Sequence, residues 1–115
     1  MSDLINIKAS DIESIREFLN NNFREQITNQ MIAEKFHYHT YYLNRVFKES
    51  FGVAMHKYII ECRINEAMCR LKEEDTPIGV IAIECGFKTS SYFSRHFKAY
   101  LGVSPSEYRN KSFKE

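Results

Sequence analysis

Length, composition and charge limit the classes of protein to which this chain can belong. Its 115 residues are enough for about one domain, and 43% hydrophobic residues, with seven tyrosines and nine phenylalanines, can fill a core. Only four glycines and two prolines interrupt the chain, and no apolar run reaches the roughly 18 residues that span a bilayer. An all-α protein is therefore expected, and the lack of a signal-peptide pattern favours a cytoplasmic one.

The net charge of +1 is unevenly distributed along the chain. Residues 1–34 hold three cations and six acids, whereas residues 35–72 hold seven cations and three acids. Residues 73–85 hold four acids and no cation, and residues 86–115 hold six cations and two acids. The two positive segments are candidates to face nucleic-acid phosphates.

Apolar residues recur at helical spacing through most of the chain, and caps and glycines divide it into helices. Ser10-Asp11 and Thr28 offer caps for the first two helices, and Gly52 stops the third. Thr76-Pro77 supplies a cap and a first-turn proline for the fifth. The predicted helices cover about residues 11–23, 28–36, 40–51, 54–74, 77–85 and 89–101, and a last one starts at Ser104-Pro105.

A pair of short helices joined by a tight turn is typical of a helix-turn-helix unit. The first such turn lies at residues 37–39, and a second lies at Gly86. The helix predicted from Ala54 to about Glu74 would measure roughly 30 Å at 1.5 Å per residue. Neighbouring major grooves on one face of DNA recur about every 34 Å, which is a similar distance.

The chain contains an internal repeat, and the repeat includes charged positions. Core packing does not require Arg45 and Arg95, or Lys48 and Lys98, to correspond, so the repeat favours two basic helices that each enter a major groove. A duplicated scaffold with solvated cations is the alternative. At an offset of 49 residues, Ile32, Ala33, Tyr38 and Thr40 match Ile81, Ala82, Phe87 and Thr89, and at an offset of 50, Tyr42, Arg45, Phe47, Lys48, Gly52, Val53 and Tyr58 match Tyr92, Arg95, Phe97, Lys98, Gly102, Val103 and Tyr108.

From about Asp11 to Arg109 the sequence resembles the DNA-binding region of the AraC/XylS family of bacterial transcription regulators. The second half carries most of the resemblance, and the first half and the linker agree with it. The matching stretches are Ile78-Gly79-Val80-Ile81-Ala82, Cys85-Gly86-Phe87, Ser91 to Lys98, Gly102-Val103-Ser104-Pro105 and Tyr108-Arg109, together with Ile32-Ala33, Leu43 to Lys48, Gly52, Tyr58-Ile59, Arg63-Ile64, Ala67 and Leu71.

The resemblance implies seven helices, in two helix-turn-helix units (residues 11–53 and 76–113) joined by a long linker helix (residues 54–75). It also implies sequence-specific binding to promoter DNA as an activator or repressor, with two recognition helices in successive major grooves. Promoter DNA and RNA polymerase are the expected partners, and the isolated domain is expected to be a monomer. By position, the base-contacting residues would be Thr40, Tyr41, Asn44, Arg45, Ser90, Ser91, Ser94 and Arg95, and the phosphate-contacting positions would be Lys48, Lys98 and the helix N-termini near Thr28 and Thr76.

The first half departs from the family pattern at the turn. His37 stands where the second half has Gly86, and histidine tolerates a left-handed backbone less readily than glycine does. His39 stands where the second half has the capping residue Thr89, so Thr40 is an alternative cap for the third helix. Small serines in the second recognition helix reach less far than glutamine or arginine would, so the first helix is expected to discriminate more between bases.

Other functions were weighed against DNA binding. Four histidines and three cysteines have no metal-ligand spacing, so no metal and no cofactor are expected. Cys62, Cys69 and Cys85 are expected to be reduced and buried, with a thiol redox switch as the alternative. His96 is not aimed at Ser94, and no catalytic constellation is present, so the chain is not expected to be an enzyme. A helical protein-interaction module would bind without salt dependence, unlike a DNA-binding domain. Whether the chain is a complete small regulator or a C-terminal piece stays open.

Overall fold

The structure is a computed structural model that describes residues 7–114, with side chains described for residues 7–111. Over these residues the chain is all-α, as predicted, with seven helices and no strand. The predicted third helix has the observed bounds, and the predicted second and sixth helices differ from the observed ones only by one residue at their starts. The helices are α1 (Ala9–Asn22), α2 (Asn29–Phe36), α3 (Thr40–Phe51), α4 (Met55–Glu73), α5 (Ile78–Glu84), α6 (Ser90–Leu101) and α7 (Pro105–Lys114).

Contacts divide the chain into two compact units, and the division falls within α4. The N-terminal unit ends at Ile59 and contains α1, α2, α3 and the first residues of α4. The C-terminal unit starts at Ile60 and contains the rest of α4 with α5, α6 and α7. Each unit therefore contains one pair of short helices joined by a turn.

The core of the N-terminal unit is formed by the apolar faces of α1 and α3. Ile15, Leu19 and Phe47 are completely buried. The Phe47 ring lies edge-on to the ring of Tyr58, with 5.5 Å between the ring centroids. The Tyr58 hydroxyl donates a hydrogen bond of 2.6 Å to Oδ1 of Asn20, which joins α4 to α1. On α3, Leu43 and Phe47 are the buried residues, at the helical spacing of four.

The core of the C-terminal unit surrounds the completely buried rings of Phe93 and Phe97 on α6. Phe97 lies edge-on to Tyr108 of α7, with ring centroids 5.4 Å apart, as Phe47 does to Tyr58. Tyr100, which the helical spacing placed on the same apolar face, is instead 36% exposed. The remaining buried members of the cluster are Ile60, Ile64, Ala67, Leu71, Ile81, Ala82, Cys85 and Phe87.

The sequence repeat is also a repeat of packing. Residues 41–50 and residues 91–100 show the same order of exposed, half-buried and buried positions. Gly52 and Gly102, which end α3 and α6, have left-handed backbones with φ values of 83° and 80°. Their amides donate to the carbonyls of Lys48 and Lys98, at 2.7 Å and 2.8 Å. Equivalent residues therefore occupy equivalent environments in the two units.

Two of the predicted helix caps are wrong. Helix α1 starts at Ala9 with Lys8 as its N-cap, so Ser10 lies inside the first turn instead of capping it. Helix α5 starts at Ile78 with Pro77 as its N-cap. The hydroxyl of Thr76 donates to Oε1 of Glu74 at 2.7 Å instead of capping α5. No helix among the described residues is long and apolar enough to cross a membrane.

Candidate nucleic-acid interface

The turns before α3 and α6 are built in the same way. Helix α2 ends at His37, whose backbone is left-handed with φ 64° and ψ 42°, and the amide of Tyr38 donates to the carbonyl of Ala33 at 2.9 Å. Helix α5 is followed by Gly86, with φ 112°, and the amide of Phe87 donates to the carbonyl of Ala82 at 3.0 Å. These bonds close the ends of α2 and α5 and set the direction in which α3 and α6 start. The left-handed backbone predicted at His37 from its correspondence with Gly86 is confirmed.

Helices α3 and α6 start differently. Thr89 caps α6, since its Oγ1 accepts a hydrogen bond from the amide of Tyr92 at 3.0 Å. The N-cap of α3 is His39, which makes no side-chain cap hydrogen bond. The alternative cap by Thr40 is wrong, because His39 is the N-cap and Thr40 is already the first helical residue. Thr40 is half-buried.

The exposed face of α3 carries an aromatic residue and two cations. Tyr41 is 70% exposed, and its ring lies edge-on to that of Tyr42 with centroids 5.7 Å apart. Arg45 follows one turn later with 51% of its side chain exposed, and Lys48 is exposed in the last turn. Three of the predicted contact residues therefore share one accessible helix face. Hydrogen-bond donors on such a face suit the acceptor-rich edge of guanine or a phosphate.

Asn44, also predicted to contact bases, is placed differently from its neighbours. The residue is half-buried, and its Oδ1 is fully enclosed without a hydrogen-bond partner among the described residues. An enclosed acceptor without a partner carries a desolvation cost of about 1–3 kcal/mol. A bidentate contact to adenine uses both the oxygen and the nitrogen of the amide, so Asn44 would have to rotate before making one.

Arg45 has an acidic partner on this face that the sequence analysis did not predict. Arg45 forms an ion pair with Glu49, with 3.4 Å between Nε and Oε2. The two residues lie four apart, so the i,i+4 spacing was the signal that could have found the pair. The carboxylate would therefore compete with any other acceptor for the Arg45 guanidinium.

The exposed face of α6 is chemically simpler. Ser90, Ser91 and Lys98 are exposed, while Ser94 is half-buried like Asn44 at the equivalent position. The guanidinium carbon of Arg95, an exposed residue, lies 5.8 Å from the centroid of the Tyr92 ring. Helix α6 contains no acidic residue, and Ala99 occupies the position that corresponds to Glu49.

The two threonines near predicted phosphate contacts have local partners. Oγ1 of Thr28 accepts a hydrogen bond from the amide of Met31 at 3.1 Å, so Thr28 is the N-cap of α2, as predicted. The hydroxyl of Thr76 donates a hydrogen bond to the carboxylate of Glu74. The Thr28 hydroxyl therefore keeps its own proton for a phosphate acceptor, whereas the proton of the Thr76 hydroxyl is already engaged by Glu74.

The cysteines occupy three different environments. Cys85 is buried, and its thiol lies 3.9 Å from Oε2 of Glu66. Cys62 is half-buried, and burial raises the pKa of its thiol. Cys69 is exposed, so of the three thiols expected to be buried only that of Cys85 is fully so. Over residues 7–114 no group of three or more histidine, cysteine or acidic side chains is placed to hold a metal ion.

The sequence of this chain is similar to those of known proteins. Residues 32–111 match a family model described as a helix-turn-helix domain. The multiple antibiotic resistance protein MarA of Escherichia coli is 31% identical over 104 residues, which are 90% of this chain and 82% of MarA. The uncharacterized HTH-type transcriptional regulator YijO of Escherichia coli is 30% identical over 86% of this chain, but the chain spans only 35% of YijO.

Solved structures have the same fold. The C-terminal domain of AraT, a response regulator from Geobacillus stearothermophilus, is similar with a TM-score of 0.85 and 29% identity, over 88% of this chain and 84% of that domain. The DNA-binding domain of the transcriptional factor AdpA, solved in complex with a target DNA, has a TM-score of 0.83 and 24% identity. That similarity covers 87% of this chain and 90% of the AdpA domain.

Proposed function

Because the chain belongs to the AraC-type family of helix-turn-helix transcription regulators, we propose that it binds promoter DNA sequence-specifically through α3 and α6. The observation that carries the proposal is the repeated pattern of exposure. Each helix buries a phenylalanine, Phe47 or Phe97, and exposes an arginine and a lysine at equivalent positions. Burial on one side fixes each helix in its unit, and the cations on the other side face outward.

The proposed readout differs between the two helices. On α3, Tyr41 and Arg45 are the most accessible base-contacting residues, and Arg45 can donate two hydrogen bonds to guanine. On α6, Arg95 has the same capacity. The full proposed set of base-contacting residues is Thr40, Tyr41, Asn44, Arg45, Ser90, Ser91, Ser94 and Arg95.

Phosphate contacts would position the domain on the duplex without reading its sequence. We assign these contacts to Lys48 and Lys98, which are exposed in the last turns of α3 and α6. The backbone near Thr28 and Thr76 completes the proposed set, through amides at the starts of α2 and α5.

The wider role follows from promoter binding. We propose that the division into units 11–53 and 76–113, joined by a linker helix over 54–75, corresponds to two recognition helices in successive major grooves. The domain would act in the cytoplasm as a monomer without catalytic activity, and it would activate or repress transcription together with RNA polymerase.

Selection of bound sequences from random duplex DNA tests this proposal. We expect two preferred half-sites separated by about one helical turn, 10–10.5 base pairs. Arg45→Ala and Arg95→Ala should each weaken binding to the selected duplex by about 1–3 kcal/mol. Lys8→Ala removes an exposed cation from the start of α1 and serves as the matched control. Equal affinity of both arginine variants and the native chain, or binding that is indifferent to salt, would contradict the proposal.

A further inference from the structure

We propose that Glu49 is a positioning residue of α3, because its carboxylate holds the Arg45 guanidinium on the helix and limits its contact with phosphates of non-target DNA. This inference rests on the proposed function, since it assumes that α3 meets DNA. Glu49 is the one acidic residue of α3, and it is exposed on the same side as Arg45.

The geometry of the pair makes it exchangeable. Nε of Arg45 lies 3.4 Å from Oε2 of Glu49, and the two side chains are 51% and 65% exposed. Water screens an ion pair of this kind, so that its net contribution to stability is small. The arginine also precedes the glutamate, and this is the less favourable order along a helix. A competing acceptor can therefore displace the carboxylate.

Different acceptors on DNA compensate to different degrees for the free energy that is lost with the ion pair. A phosphate offers Arg45 roughly what Glu49 already offers, namely an attraction between opposite charges near water. A correctly placed guanine offers two hydrogen bonds in a fixed plane, through O6 and N7. Displacing the carboxylate costs the same free energy for either acceptor, so this cost cancels most of the smaller gain from an arbitrary phosphate and only part of the larger gain from the target guanine.

Helix α6 in the C-terminal unit has no acidic residue at the position equivalent to Glu49. Residues 91–100 repeat the exposure pattern of residues 41–50, and Arg95 corresponds to Arg45. The residue that corresponds to Glu49 is Ala99, and Arg95 lies beside the Tyr92 ring. The repeat therefore contains one restrained arginine and one without an acid on its own helix.

Binding of two duplexes over a range of salt concentrations tests the inference: one duplex selected from random DNA by the native chain, and one of scrambled sequence. In Glu49→Ala, we expect the scrambled duplex to bind about two- to fivefold more tightly. The slope of log affinity against log salt should steepen by about 0.9 if Arg45 neutralises one more phosphate. In Ala99→Glu, both changes should have the opposite sign.

A double variant separates the mechanism from simple charge repulsion. In an Arg45→Ala background, Glu49→Ala should no longer change affinity or slope, because the restrained guanidinium is gone. An effect of Glu49→Ala that persists in that background, or its absence in the native background, overturns the inference. Loss of salt-dependent binding by the native chain would instead overturn the proposed function. Glu49 and Ala99 are both exposed, so thermal unfolding of the variants should match that of the native chain.

Discussion

His37 is the only described residue other than glycine with a positive φ. Its φ of 64° lies in the left-handed region, where an L-residue is strained by about 1–2 kcal/mol. The side chain is exposed, so no packing compensates for this strain. Gly86, at the equivalent turn, has a φ of 112° and is buried. The N-terminal unit therefore tolerates a strained residue where the C-terminal unit uses glycine.

Exchanging these two residues gives a matched pair of predictions. In His37→Gly, relief of the strain exceeds the roughly 0.4–1 kcal/mol lost to the greater freedom of glycine in the unfolded chain. We expect stabilisation by about 0.5–1 kcal/mol in chemical unfolding. Gly86→His should destabilise by more than about 1 kcal/mol, because a side chain fits neither the φ value nor the buried site. Destabilisation by His37→Gly would show that the histidine side chain stabilises the turn.

At the scale of elements, the C-terminal end of α4 is unusual. Glu73 ends the helix and Glu74 and Asp75 follow it, and the helix dipole disfavours negative charge there, although Arg70 and Lys72 in the last turn are basic. Arg109 of α7 resolves this conflict, since its Nε donates to the carbonyl of Leu71 at 3.1 Å and its Nη2 donates to the carbonyl of Glu74 at 3.0 Å. Arg70 also binds Glu74 and Glu84, with distances of 2.9 Å and 2.6 Å. Two arginines thus cap and neutralise the end of α4.

Removal of the Arg109 guanidinium should leave these carbonyls without their charged donor. We expect Arg109→Met to destabilise the C-terminal unit by roughly 1.5–3 kcal/mol in chemical unfolding. Arg109→Lys should recover only part of this loss, because an ammonium lacks the planar fork that reaches both carbonyls. Full recovery by lysine would indicate that charge alone, and not the pair of hydrogen bonds, stabilises the helix end.

At the scale of the whole molecule, acid should destabilise the C-terminal unit through two carboxylates. Hydrogen bonds from Arg70, and then from Thr76, lower the pKa of Glu74. The backbone amide of Ser104 donates to Glu107 at 2.9 Å and lowers its pKa, and the amide of Glu107 donates in return to the Ser104 hydroxyl at 3.1 Å. This reciprocal capping box starts α7.

A lowered folded-state pKa determines the sign of the pH dependence. Each carboxylate stabilises the folded state fully above the usual pKa of glutamate, and this stabilisation is lost as the pH falls through the lowered pKa. We therefore expect the free energy of unfolding to decrease with acidification below that range. In Glu74→Gln and Glu107→Gln the decrease should be shallower, because neither amide titrates. A pH profile that is identical in both variants and the native chain would contradict this expectation.

Much of the fold could be predicted because it depends on local sequence. Thr28 and Thr89 bond to amides three residues away, and Gly52 and Gly102 end helices within one turn. The buried faces followed from apolar spacing, and the repeat identified the equivalent positions. The errors at Ser10 and Thr76 arose where a neighbouring residue or carboxylate offered a competing arrangement.

The sequence by itself determined the all-α class, the two-copy organisation and the outward positions of Arg45 and Arg95. These features depend on contacts within a few residues or on direct comparison of the two copies. Only the tertiary structure decided that the Asn44 oxygen is enclosed, that Cys69 is exposed and that Arg109 caps a helix 35 residues earlier in the chain. The physical reason is that enclosure and long-range hydrogen bonds depend on which helices pack together, and helical periodicity gives the face of a residue without giving the neighbour that covers it.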